Sequence, residues 1–419
     1  MGEQEAGGGT QERAGLEGRR GQGPEGLSAL PPVWSTYVPS TLLARYYLPR
    51  RHAFLQGNGC QLLRDGVEAY PAMLAAIRGA HRYVHLETYM FITDAVGALF
   101  GEALAAAAER GVHVRVLYDA LGSWTSRRSF FEALRARGVD IRPFKPLRGL
   151  GRGLRHLLRR DHRKLLVVDG EVAFIGGVNI SAHWAPEGQG GAWRDDVMRV
   201  EGPVVDVLER RFVATWRMAF QDRFRSRREL RRQQRQREGP REGVCLAVLS
   251  SRRSIHRAYL HAIARARRSV LVAAGYFIPD RKLMAALREA ARRGVEVRLL
   301  LSGKSDHPWL VHATRAFYEK LLTSGVRIFE WQRCVLHAKT AVVDGVWGTI
   351  GSFNLERLSL LFNHEVNAVF ADPRLGRELE DSFRADCQHC REVDLERFRR
   401  RPLWQKLLER VLYAFRKVL

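Results

Sequence analysis

Two histidines, His162 and His337, each stand two residues before a lysine, Lys164 and Lys339, and each pair opens the same polar skeleton. Both copies read H-x-K-x4-D-x6-G-[GS]-x-N, the first running through Asp169 to Asn179 and the second through Asp344 to Asn354. One His-x-Lys is ordinary surface chemistry, but a whole skeleton repeated at one spacing points to a shared task. Two imidazoles opposed across one substrate let one attack while the other gives and takes a proton. Two lysines and two asparagines can hold the negative oxygens of a phosphodiester. The sequence has no H-E-x-x-H, Walker loop or paired ligand clusters, so charge compensation by side chains is expected, with no metal and no cofactor.

These residues need elements to hold them. Within each motif, apolar and partly β-branched runs flank an Asp-Gly pair, 165–168 and 172–175 in the first copy, which predicts a β-hairpin. Strand side chains alternate, so His162 and Lys164 share a face, as do His337 and Lys339. Asp169 and Asp344 stand at odd spacing from their histidines and are expected to face away, in a supporting role.

Around the motifs, helices at 70–79, 97–110 and 129–137 alternate with strands at 83–91, 112–118 and 139–144. The second half repeats that order and some of the wording: RGVHVRVL at 110–117 is answered by RGVEVRLL at 293–300. The expected fold class is α/β: two duplicated α/β/α sandwich halves with mostly parallel sheets and one composite active site between them. The expected boundaries are a flexible tail at 1–40, a first half at 41–222, a basic linker at 223–242, a second half at 243–395 and an amphipathic basic helix at 396–419.

A formal net charge of +24 over 419 residues predicts a surface that attracts polyanions, nucleic acid or an anionic leaflet. Nine arginines against two glutamates at 223–241, and alternating leucine and arginine at 145–160, are the densest sources of that charge. The C-terminal stretch sets Leu403, Trp404, Leu407, Leu408, Val411 and Phe415 at helical spacing, to pack on the body or to lie in a membrane interface. No apolar run is long enough to span a bilayer and the N-terminal tract lacks the apolar core of a signal peptide, so a cytosolic protein is expected. Five scattered cysteines predict reduced thiols, and Cys387-x-x-Cys390 is assigned no function.

The duplicated motif resembles the phospholipase D superfamily, and the resemblance runs from about Gly66 to Val393. Further phrases, HLETYMF at 85–91, RDHRK at 160–164, Trp193-Arg-Asp195, Glu201-Gly-Pro203 and NHEVN at 363–367, are similar to bacterial cardiolipin synthases of the peripheral type. The paired N-terminal transmembrane helices of other cardiolipin synthases have no counterpart in the sequence. The resemblance implies a retaining, two-step transfer in which His162 forms a phosphohistidine while His337 protonates the departing alcohol and then deprotonates the acceptor. It further implies that Lys164, Lys339, Asn179 and Asn354 bind nonbridging oxygens, that Asp195 and Glu365 orient the histidines, and that Asp169 and Asp344 complete the catalytic set.

Three functions remain open on the sequence: a phosphatidyltransferase making cardiolipin from two phosphatidylglycerols, a phosphodiesterase acting on nucleic acid or a hydrolase or transphosphatidylase of other phospholipids, and a noncatalytic anionic-surface binder. Two intact motifs beside basic, leucine-rich segments favour the first, on the cytoplasmic face of a bacterial membrane, with phosphatidylglycerol and the anionic surface as partners and no specific nucleic acid. The oligomeric state is not legible.

Overall fold

The Asp-Gly pairs turn the chain as their residue types favour. Asp169 and Asp344 adopt left-handed backbone, with φ of 54° and 55°, and Gly170 and Gly345 follow at 66° and 67°, at the centre of each hairpin turn. The structure is a computed structural model that describes residues 40–47, 54–146, 159–186, 193–220 and 243–414. All of these belong to one compact unit, Thr36–Leu419.

Seven strands come from the first half: β1 (Leu55–Arg64), β2 (Tyr83–Thr88), β3 (His113–Asp119), β4 (Asp140–Phe144), β5 (Leu165–Val168), β6 (Val172–Gly176) and β7 (Asp196–Glu201). The second half supplies β8 (Val244–Leu249), β9 (Ser269–Ala274), β10 (Glu296–Ser302), β11 (Arg327–Trp331), β12 (Lys339–Val343), β13 (Trp347–Gly351), β14 (Asn367–Ala371) and β15 (Cys390–Glu392). They form one sheet in the order β15-β11-β10-β9-β12-β13-β14-β8-β1-β7-β6-β5-β2-β3-β4. Apart from β15, the row reads the same from either end in duplicated elements, so the repeat seen in the sequence is a repeat of whole folds.

The expectation of mostly parallel sheets needs correction. Among the described strands only β2–β3, β3–β4, β9–β10 and β10–β11 pair in parallel. Helices Ala95–Glu109 and Arg281–Arg292 provide crossovers of the length that parallel neighbours require. The motif strands β5–β6 and β12–β13 are joined by three residues, 169–171 and 344–346, which allow only antiparallel pairing, and β5, β6 and β7 or β12, β13 and β14 occupy the middle of the row. The two sheets are also one, because β1 pairs with both β7 and β8. That junction was not anticipated: β1 is broken by Gly57 and Gly59 and shows little apolar alternation.

A shared core locks the halves together. Helix Val204–Phe220 buries Leu208, Phe212 and Trp216 against Leu165, Val167 and Met198 of the first half, and the same cluster continues through Leu271, Leu300 and Phe329 of the second. A fully buried side chain such as Phe212 contributes roughly 1.5–3 kcal/mol through burial alone.

The C-terminal stretch forms helix Leu403–Ala414, packed beside helix Pro308–Arg315. Its buried Glu409 binds Arg401 at 2.6 Å, while Leu403, Trp404, Leu407 and Val411 remain 45–80% exposed. The helix thus does one of the two expected things with one face and leaves the other face open. The expected tail, except for residue 40, the basic 223–242 segment and residues 147–158 of the Leu/Arg stretch lie outside the described residues.

Candidate active site

Both motif histidines precede the first strand of their hairpin, β5 or β12, and both line one cavity of about 300 Å³ between the halves. The chain holds them there by cross-half backbone pairing. The His162 amide donates to the His364 carbonyl at 3.0 Å, and the His337 amide donates to the Arg194 carbonyl at 2.7 Å. Short parallel bridges, Asp161 with His364 and Arg194 with Leu336, continue that contact.

The orienting carboxylates follow from this exchange, and each comes from the opposite half. His337 Nδ1 lies 2.6 Å from Asp195 Oδ2, and His162 Nδ1 lies 3.2 Å from Glu365 Oε2. His162 Nδ1 is also 3.1 Å from the Ser352 carbonyl, which can only accept, so Nδ1 carries the proton and Nε2 keeps its lone pair. An ionised Asp195 imposes the same tautomer on His337.

Local sequence explains the two carboxylate sites. A side chain on Gly177 would meet Asp195 Oδ1 at 2.1 Å, so glycine there makes the room that Asp195 fills, and Trp184 Nε1 donates to it at 3.2 Å. In the second copy Ser352 replaces that glycine. Its hydroxyl donates to Glu365 at 2.5 Å and Ser359 adds a second donor at 2.8 Å. The [GS] choice in the motif is thereby tied to which carboxylate it serves.

Asn179 and Asn354 line the cavity. Asn179 Oδ1 accepts from the Met90 amide at 3.1 Å, and Asn354 Oδ1 is buried without a partner among the described residues. Lys164 and Lys339 are buried beside the histidines rather than in the cavity wall, each ammonium donating to the carbonyl of its own histidine, at 2.6 Å for Lys164. Tyr89 and Tyr276 face the lysine ammoniums and the imidazoles, with Tyr89 5.1 Å from the His162 ring. These tyrosines, Trp184 and Trp193 were not singled out in the sequence; HLETYMF and the Trp193 phrase were the only traces of them.

Asp169 and Asp344 do not line this cavity; they brace the hairpins at the far ends of β5 and β12. Asp169 accepts from the His81, Arg82 and Tyr83 amides, each at 2.8 Å. Asp344 accepts from the Arg268 and Ser269 amides and from the Tyr47 hydroxyl at 2.6 Å. Neither belongs with groups that could touch a substrate.

Electrostatically the site suits an anion. Burial, helped by Lys164, holds the His162 imidazole below its ordinary range, and burial with Lys339 does the same to His337, so both are neutral near pH 7. Burial brings Lys164 down to about 7, with Lys339 lowering it further, and brings Lys339 down to about 8. Burial raises Asp195 to about 6, against the pull of Lys339. Glu365, although buried, is held low by His162 and Lys164.

The sign of the pH dependence follows. If both ammoniums bind a phosphodiester, its affinity is full well below pH 7 and is lost as pH rises through the two lysine values, about 7 and about 8. KM should rise from pH 7 to 9 while binding at pH 8 takes up about one and a half protons, read by calorimetry in buffers of different ionisation enthalpy. A KM independent of pH over that range would contradict the lysine assignment.

Arg194, next to Asp195, is the positioning residue of that loop. Its guanidinium bonds Asp386 across the interface at 2.8 Å and Asp196 at 2.7 Å, and it is buried. Arg194→Ala leaves Asp196 buried without the cation that pairs with it and Asp386 with Arg64 alone, and should cost about 3–5 kcal/mol in denaturant unfolding. A loss below 1 kcal/mol would show that the loop is held by other contacts.

A family model described as "Cardiolipin synthase, PLD-like domain" matches residues 73–187 and 259–387. Cardiolipin synthase B of Escherichia coli (strain K12) is 37% identical over 367 residues, 85% of this chain and 87% of that protein. Cardiolipin synthase of Geobacillus thermodenitrificans is 33% identical over 373 residues, 88% of this chain and 74% of that one. Among solved structures, phosphatidylserine synthase of Haemophilus influenzae superposes with a TM-score of 0.65 at 12% identity, covering 88% of this chain and 95% of that one.

Proposed function

The chain belongs to the phospholipase D-like family of cardiolipin synthases, and from that premise we propose that it converts two phosphatidylglycerols into cardiolipin and glycerol through a phosphohistidine. The observation that carries this reading is the single cavity lined by two imidazoles, each backed on Nδ1 by a carboxylate of the other half.

In the first step His162 Nε2 forms a bond to phosphorus as the bond from phosphorus to the headgroup glycerol oxygen breaks. His337, whose protonated form an arriving phosphodiester anion favours, gives that oxygen its proton, and glycerol leaves. In the second, the hydroxyl of another phosphatidylglycerol passes its proton to His337 and bonds to phosphorus. The phosphorus–nitrogen bond breaks and its electron pair returns to His162. Lys164, Lys339, Asn179 and Asn354 offset the charge on the nonbridging oxygens.

The membrane is met peripherally. Among the described residues no helix is long and apolar enough to cross a bilayer. The open face of helix Leu403–Ala414, with Leu403, Trp404 and Leu407 outward, suits the interface of an anionic leaflet attracted by the +24 charge. Helix Pro308–Arg315, against which it packs, also puts Trp309 and Leu310 in the catalytic cavity wall, so one helix contacts both the cavity and the C-terminal helix.

The test is incubation of the protein with phosphatidylglycerol vesicles and mass analysis of the lipids. Cardiolipin and free glycerol should dominate, and added glycerol should drive the reaction backward. Phosphatidic acid as the main product would make the protein a lipid hydrolase instead. Vesicle binding should weaken with salt and with Leu407→Asp; equal binding to neutral and anionic vesicles at all ionic strengths would remove the electrostatic part.

A further inference from the structure

Beside the catalytic cavity lies a second one of about 280 Å³, and Glu356 stands in the wall of both. Ile278, Leu283, Phe353, Leu355 and Leu361 give it an apolar lining. Arg281 and Arg357 are exposed in its wall, and neither has an ion-pair or hydrogen-bond partner among the described residues.

We propose that this pocket is the acceptor site: it holds a second anionic phospholipid, its phosphate between Arg281 and Arg357 and the start of its hydrocarbon against Phe353 and Leu361. The inference rests on the transfer reaction of the preceding subsection. After glycerol leaves, the phosphatidyl group stays on the enzyme and its phosphate keeps both lysines occupied. An acceptor that is itself a lipid phosphodiester therefore needs another place for its own phosphate and chains. That place must open onto the first cavity, so that its free hydroxyl passes Glu356 and reaches His337.

The duplication supplies an internal comparison. Bridges of Phe91 with Ile180 and of Phe277 with Leu355 bring the copies into register, so Arg281 answers Ala95, Arg357 answers Ala182 and Glu356 answers Ser181. In the first half this place is tied shut, the Ser181 hydroxyl and the Ala182 amide donating to Asp94 at 3.0 and 2.6 Å. In the second half the matching Asp280 pairs with His256 at 3.1 Å instead, and Glu356 turns to cap the Leu358 and Ser359 amides at 2.6 and 2.9 Å. The two cations thus belong to one half of a fold that is otherwise repeated, as a site for one of two unequal lipid roles requires. Because that half carries His337, the asymmetry also favours His337 as the base that receives the acceptor's proton.

The test compares wild type with the double variant Arg281→Gln/Arg357→Gln on phosphatidylglycerol vesicles containing ethanol. Cardiolipin, phosphatidic acid and phosphatidylethanol are measured together. The ratio of cardiolipin to phosphatidylethanol should fall about tenfold or more, since two charge-assisted contacts to the lipid acceptor are lost and none to the small alcohol. Lysine at both positions should restore part of the ratio. An unchanged ratio, with all products falling together or none, would overturn the acceptor site alone. Wild-type protein that yields phosphatidic acid and no cardiolipin would overturn the transfer reading, and this one with it.

Discussion

Alanine at His162 or at His337 is expected to leave a folded protein whose turnover of phosphatidylglycerol is lower by about 10⁴-fold or more, because the two imidazoles act in one sequence and neither step has a substitute. Folding should survive because the partners keep other bonds. Without His162, Glu365 still accepts from Ser352 and Ser359; without His337, Asp195 still accepts from Trp184 and the Asp196 amide. The two variants should differ in where they stop. With a p-nitrophenyl phosphodiester, whose leaving group needs no proton, His337→Ala should accumulate phosphohistidine and release one equivalent of nitrophenolate, whereas His162→Ala should release none. A chelator should leave wild-type rates unchanged, since Lys164 and Lys339 offset the phosphate charge. Near-normal turnover in either folded variant would end the paired-histidine mechanism, and a burst in His162→Ala but not in His337→Ala would exchange the roles.

Much of this arrangement was legible in the sequence, and the unread parts share a cause. The hairpins were readable because Asp-Gly between β-branched runs is a local signal, and the His, Lys and Asn positions because they recur at fixed spacing. Asp195 and Glu365 were found only through resemblance, and nothing along the chain could tell that each serves the histidine of the other half. Asp195 is 16 residues beyond Asn179 of its own motif, yet the parallel bridge of Arg194 with Leu336 delivers it to His337. The expectation of mostly parallel sheets erred by reading the helical crossovers and overlooking that connections of three residues fix the motif strands antiparallel. Strand β1 escaped notice because its pairing with β7 and β8, rather than its own pattern, makes it a strand. Long-range pairing is what a single sequence states least directly.

That exchange of carboxylates makes Asp195→Asn and Glu365→Gln the sharpest test of the composite site, with expected losses of about 10²–10⁴-fold in kcat. Each amide keeps the volume of the acid but removes its charge, and its NH2 can turn toward the imidazole, which favours the tautomer with the proton on Nε2 and the wrong nitrogen free. The damage should cross the interface. Asp195 is carried by the first half but bonds His337, so Asp195→Asn should still give a burst of nitrophenolate from the activated diester and then stall, its acceptor step lacking a competent base. Glu365 is carried by the second half but bonds His162, so Glu365→Gln should slow the burst itself. Because Ser352 and Ser359 also hold Glu365 and the Ser352 carbonyl also accepts from His162, some of the correct tautomer persists there, and the loss should lie at the lower end of that range. The opposite pattern, in which each substitution harms the step run by the histidine of its own half, would mean that the cross-half contacts do not govern the chemistry.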